Sequence, residues 1–175
     1  MALSENFNFI HERIEVKVLI LFILRRFREP VTLAVLTGLA MCDDGVGYFD
    51  VTECIADLIK TKHILLKDGM YSLTPKGDRN GETLEKNLPY SVRIKAEGSA
   101  ALVRANLNRE AMIKTHNRIG DDGGYKVYLS LSDGVGDIIS LELLVTNEEQ
   151  AKAIEKGFRK DAEKIYHTII EMLAK

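Results

Sequence analysis

Cysteine is almost absent from this sequence, with Cys42 and Cys54 its only two. Two thiols so placed suit neither a disulfide framework nor a thiolate metal site, and they fit a reducing compartment. Proline is nearly as scarce, at three residues, while 46% of the chain is hydrophobic and 29% charged. That balance specifies a folded chain rather than a disordered one. Neither sign of charge dominates, since the formal net charge is −2. Global attraction to nucleic acid or to an acidic membrane is thereby excluded, and any such binding has to come from a local patch. Long apolar runs are missing too. The longest, Val18 to Leu24, is framed by Lys17 and Arg25-Arg26 and falls well short of the roughly 18 residues a membrane span needs. The opening Met-Ala-Leu-Ser-Glu-Asn lacks the basic region of a signal peptide. A cytoplasmic protein with no membrane partner is expected. Its 175 residues leave room for one domain with an extended tail or for two small ones.

The signatures of chemistry are missing as well. Gly134-Val-Gly136 has neither the third glycine nor the following helix of a dinucleotide fingerprint, and reads as a hairpin connection. His11, His63, His116 and His167 are scattered over separate elements without ligand spacing. The run Ser130-Leu-Ser132-Asp133-Gly134 is not a Gly-x-Ser-x-Gly elbow. Asp43-Asp44 and Asp121-Asp122 each lead into a glycine, where turn chemistry accounts for paired carboxylates. Cys42 falls at a helix end and Cys54 on a buried stripe, with no histidine placed to activate either thiol. No enzyme, cofactor or metal is expected.

What the chain does have is periodicity. From Ile14 to Phe27 apolar residues recur so densely that the helix must be buried on most of its circumference, with Pro30 beyond its end. Thr32 is placed to cap a second helix carrying Leu33, Val35, Leu36, Leu39 and Ala40. The turn Cys42 to Gly47 separates it from a third, about Tyr48 to Thr61, whose Val51, Cys54, Ile55, Leu58 and Ile59 form one stripe. The segment ILLKDGMYSLTPKG, residues 64–77, follows at once. Asp68-Gly69 between two strand-like runs specifies a hairpin, since both turn positions tolerate positive φ. Thr74 then caps a further helix, reaching Lys86, and Pro75 takes its first position. Helix, helix, turn, helix and hairpin is the order of a winged helix-turn-helix.

The second half is built differently. Tyr90 to Leu107 reads as a helix with Val92, Ala96, Ala100, Val103 and Leu107 on one stripe. Met112 to Ile119, Tyr125 to Ser132 and Asp137 to Val145 alternate with period two and are joined by glycine-rich turns. That is a three-stranded antiparallel meander. Thr146-Asn-Glu-Glu149 is a capping box for a long last helix striped by Ala151, Ile154, Phe158, Ala162, Ile165, Ile169 and Leu173. Tyr166, Ile170 and Met172 are apolar residues in excess of that stripe and predict a second chain against this helix. The expected fold is α+β: a winged helix-turn-helix over 1–88, then a helix, the meander and a long C-terminal helix over 89–175.

The segments YFDVTECIADLIKTKHILLKDGMYSLTPKG, NLPYSVRIKAE, LSLSDGVGDIISLELL and GFRKDAEKIY resemble the bacterial family called domain of unknown function 4364. Tyr-x-Leu-Thr-x-Lys-Gly, here Tyr71 to Gly77, is also similar to the second wing strand of many winged-helix regulators. The family resemblance covers almost the entire chain. It implies a winged-helix N-terminal half and a role in transcription, and it brings no activity with it.

A winged domain would present its third helix to the major groove. Off its apolar stripe that helix carries Asp50, Thr52, Glu53, Asp57 and Lys60, and three acids facing phosphates would oppose binding. Over residues 1–88, 11 Lys and Arg stand against 13 Asp and Glu, a net of −2. Basic residues do gather near the helix and hairpin: Lys60, Lys62 and Lys67, with Arg25 and Arg26 after the first helix. These, with Thr52, are the candidate DNA contacts. A second basic stretch holds Arg93, Lys95, Arg104, Arg109, Lys114 and Arg118. Ile165, Tyr166, Ile169, Ile170 and Leu173 are the candidate dimer contacts. The expectation is a homodimeric transcriptional regulator that binds DNA. The alternatives are a winged-helix module whose acidic third helix meets a basic protein, and a small-molecule sensor with its pocket between the sheet and the last helix.

Overall fold

A computed structural model describes residues 10, 12–120 and 123–174. His11 and the Asp121-Asp122 pair lie outside the described residues. The chain is α+β and divides into two units, residues 1–104 and 105–175.

The first unit is organised around α1 (Arg13–Leu24). Val16 and every residue from Val18 to Leu24 are buried, because this unbroken apolar run has neighbours on all sides. Around it stand α2 (Leu33–Ala40), α3 (Tyr48–Lys60) and α4 (Pro75–Leu84), followed by a 3-10 turn over Glu85–Asn87 and the start of α5 (Tyr90–Met112). Val51, Cys54, Ile55 and Leu58 are the buried stripe of α3, as their spacing predicts. Leu88, Val92, Ala96 and Ala100 belong to this same core. The division therefore falls inside α5, between Arg104 and Ala105, later than the expected boundary at 88/89.

A small antiparallel sheet closes the unit. Strands β2 (Ile64–Lys67) and β3 (Met70–Leu73) pair in register, and the two-residue strand β1 (Val31–Thr32) adds to the other edge of β3. The order is β1-β3-β2. Asp68 and Gly69 both have positive φ, 51° and 76°, the type I′ geometry that Asp-Gly favours. Beyond β3, the Thr74 hydroxyl accepts from the Gly77 N–H at 3.1 Å and donates to the Lys62 carbonyl at 2.8 Å. Pro75 opens α4. Gly77 is obligatory here for space, since a Cβ on it would lie 2.0 Å from the His63 carbonyl oxygen. Each of the four residues in Thr-Pro-Lys-Gly thus has a fixed steric or capping task, that of Lys76 being to donate to the Thr61 carbonyl at 2.9 Å.

In the second unit β4 (Ile113–Ile119), β5 (Tyr125–Ser132) and β6 (Asp137–Val145) form an antiparallel meander in the order β4-β5-β6. Ile113, Leu131 and Ile139 lie across from one another, as do Val127 with Asn117 and Leu143. One face of this sheet is covered by α6 (Glu148–Leu173) through Ala151, Phe158 and Ala162. Asn147 caps it, accepting from Gln150 N–H at 2.8 Å. The helix kinks at Asp161, whose φ and ψ are −125° and 24°. A kink releases carbonyls of the preceding turn from their intrahelical donors, and here Arg109 takes two of them. Its guanidinium donates to the Arg159 and Lys160 carbonyls at 3.0 and 2.9 Å and pairs with Glu163 at 2.8 Å. Helix α5 was expected to stop at Leu107. It continues to Met112 and passes straight into β4, which places Arg109 in its last turn.

Candidate nucleic-acid interface

On α3, Glu53 and Asp57 are not free acids directed away from the protein. Glu53 pairs with Arg13 of α1 at 2.8 Å, and Asp57 pairs with Lys17 at 2.8 Å and with Arg13 at 3.6 Å. The contact with Lys17 holds the Asp57 carboxyl below its ordinary range, and Glu53 raises the Arg13 guanidinium above its own. Both acids are thus neutralised along one flank of the helix by cations of α1. Asp50 sits in the first turn, where a carboxylate is favourable to the helix dipole.

Away from that flank the helix exposes a different set. Phe49, Thr52, Ala56 and Lys60 are spaced by three, four and four residues, which puts them on one face. Phe49 is 80% exposed, with the Tyr48 ring edge-on at 5.9 Å. Ala56 and Lys60 are exposed and Thr52 is half-buried. The Thr52 hydroxyl donates to the Phe49 carbonyl at 3.0 Å, so its proton is already engaged. Glu53, four residues after Phe49 and three before Ala56, borders the same face. The face therefore carries one cation, Lys60, and one carboxylate, paired with Arg13 at 2.8 Å.

Lys62 and Lys67 lie just beyond it in the chain. Lys62 has φ 60°, which turns the chain from α3 into β2. Lys67 pairs with Met70 at the hairpin end. Lys60, Lys62 and Lys67 are all exposed, and among the described residues none of them is within ion-pair distance of a carboxylate. His63 bridges Thr61 and Asn80 at 2.8 Å each. The Thr61 hydroxyl donates to the Asp57 carbonyl at 2.8 Å, so its lone pair receives Nδ1–H of His63, and Nε2 is left to accept from Asn80. Burial, Lys76 and Lys17 all push the imidazole below its ordinary value. A neutral histidine therefore fastens the end of α3 to α4.

The other candidates have different surroundings. Arg25 is held by Asp78 at 3.0 Å and Glu85 at 2.7 Å, and Arg26 by Glu97 at 2.6 Å and Glu85 at 3.3 Å. Arg26 also lies over the Phe22 ring at 3.5 Å. Both are largely buried ties between the end of α1 and the elements after β3. In the second basic stretch Arg104 donates to the Arg26 carbonyl at 3.1 Å, and Arg109 is committed to the kink of α6. Cys54 is fully buried, and burial raises its thiol above the ordinary range. Cys42 is half-buried and raised for the same first reason. The buried Asp43 does turn work, with Oδ1 accepting from the N–H groups of Ile10 and Gly45 at 3.3 and 3.1 Å.

On α6, Ile165 and Tyr166 pack partly against their own core. Ile169 is half-buried, while Ile170 and Leu173 are exposed, Leu173 by 78%. The space between sheet and helix is filled by Val127, Leu129, Leu131 and Phe158. Among the described residues there is no group of three His, Cys, Asp or Glu placed to hold a metal ion, and no helix long and apolar enough to cross a membrane.

The chain belongs to the family described as domain of unknown function (DUF4364), whose model matches residues 16–173. No curated protein and no solved structure matches it.

Proposed function

We propose that the first unit is a winged helix-turn-helix domain that binds duplex DNA, and that the chain acts as a homodimeric transcriptional regulator. The order α1-β1-α2-α3-β2-β3, with a sheet ordered β1-β3-β2, supports the winged-helix reading, with β2 and β3 as the wing. The observation that carries the DNA reading is the pairing of Glu53 and Asp57 with Arg13 and Lys17. It offsets two of the three acids that oppose binding, with Asp50 remaining in the first turn, and leaves Phe49, Thr52, Ala56 and Lys60 to enter a major groove. Lys62 and Lys67 then reach phosphates on its rim. Arg25 and Arg26, already surrounded by carboxylates, have no part in this contact.

Dimerisation is supported by the end of α6, where Ile169, Ile170, Met172 and Leu173 continue an apolar stripe past the last buried residue, Ala162. A second chain covering them would give a dimer carrying two copies of α3. In sedimentation the protein should run at about twice 19.6 kDa, and Ile169→Asp with Ile170→Asp should give monomer.

With three lysines per subunit, a dimer makes about six phosphate contacts, so log K should fall with log salt at a slope of about −5. Lys60→Ala with Lys67→Ala removes about four of these and should flatten the slope by about 3 to 4. A titration on random-sequence duplex measures both. No binding near 50 mM salt, about the low-salt end of the usual range, would refute the DNA reading. It would favour a second one, a winged-helix module that meets a protein, for which the exposed Tyr48, Phe49, Leu65 and Leu66 would be the apolar contact.

A further inference from the structure

We infer that the α3 face reads thymine, through the C5-methyl groups that line the major groove. This rests on the DNA reading above and extends it to base preference. Three of the four residues on the open face are Phe49, Thr52 and Ala56, and phenylalanine, threonine methyl and alanine are the side chains that make apolar contact with that methyl. The residues that grip purines with two hydrogen bonds are arginine or lysine for guanine, and asparagine or glutamine for adenine. On α3 only Lys60 is of this kind, and it stands at the last position of the helix.

Local geometry favours the same reading. The N-terminal part of a recognition helix is the part that meets base edges, and Phe49 and Thr52 occupy the first and second turns of α3. The Thr52 hydroxyl spends its proton on the Phe49 carbonyl, so the side chain has no O–H left to donate to a base and offers its methyl instead. Phe49, at 80% exposure, is a large apolar side chain that the folded unit leaves uncovered, and a methyl-lined groove is an apolar surface that matches it. Of the three acids on this helix able to accept from cytosine, Glu53 and Asp57 are drawn aside by Arg13 and Lys17 at 2.8 Å each, and Asp50, in the first turn, is one residue off the Phe49 position.

The test uses the full chain and a duplex chosen by in vitro selection from a random pool. The selected duplex is then remade with deoxyuridine at each thymidine in turn, which deletes one methyl and keeps the hydrogen-bonding edge. Affinity should fall about 3–5-fold for each methyl in contact, the size expected for one buried methyl group. The sensitive positions should cluster within each half-site. Phe49→Ala should weaken binding to the thymidine duplex and erase part of the difference from the deoxyuridine one; a thermal melt checks that this exposed substitution leaves the fold intact. Lys60→Ala should weaken both duplexes by the same factor. Equal affinity for thymidine and deoxyuridine duplexes would overturn the inference and leave DNA binding standing. A selection that retains no duplex would overturn the DNA reading itself.

Discussion

Helices α1 and α6 both carry long apolar stripes, and the two units use them differently. Around α1 the first unit closes from Val18 onward: α2, α3, α4 and the hairpin strand β3 all contact it, and nothing from Val18 to Leu24 remains exposed. Helix α6 has a three-stranded sheet to lie on and is longer than the part that lies over it. Its last buried residue is Ala162, and the apolar positions continue to Leu173. A helix enclosed by its own unit is there for stability, whereas one that extends apolar residues past its core has surface to give to a partner.

The sharpest way to break this comparison is to remove one side chain from each helix. Leu19, fully buried in α1, should cost about 2–5 kcal/mol when replaced by alanine, read from urea unfolding. Ile170→Ala, at a position 47% exposed, should cost less than about 0.5 kcal/mol if α6 stands alone. A larger loss that grows with protein concentration would instead show a covered helix end. Gly77→Ala, forced against the His63 carbonyl, should cost about 1–3 kcal/mol by overpacking, or more if the backbone cannot yield. In the second unit, Arg109→Met should cost about 1 kcal/mol, because it leaves the Arg159 and Lys160 carbonyls at the kink to water.

The smallest effect expected is a pH dependence confined to the first unit. Burial, with Lys76 and Lys17, lowers the folded-state value of His63 below the ordinary 6.5. The unfolded chain therefore takes up the proton first as the pH falls. The contribution of neutral His63 is complete above 6.5 and is lost as the pH drops from there through the lowered folded value. Unfolding at pH 7.5 and about 5.5 should show this loss in the wild type, and His63→Gln should reduce it.

The local rules of this chain are legible in its sequence. Thr74, Pro75 and the Asp68-Gly69 turn each act within a few residues, and the period-two alternation from Tyr125 onward fixes the face that α6 covers. What depends on distant pairs is not. Arg13 and Glu53 are forty residues apart, and no pattern along the chain announces that one will neutralise the other. Arg25 and Arg26 look like a basic patch until α4, the 3-10 turn and α5 bring Asp78, Glu85 and Glu97 to them. Strand β1, at two residues, is too short to show a period, and is defined only by its pairing with β3. The end of α5 has no mark in the sequence, since Asn108 to Met112 holds neither glycine nor proline to stop a helix.

Amide hydrogen exchange with and without duplex DNA tests the division of roles most directly. On adding duplex at low salt, protection should rise over Tyr48–Lys60 and the β2–β3 hairpin and stay unchanged over the end of α6, the surface proposed for a second chain. Protection that appears on α6 and leaves α3 and the hairpin unaltered would contradict this assignment of the two units.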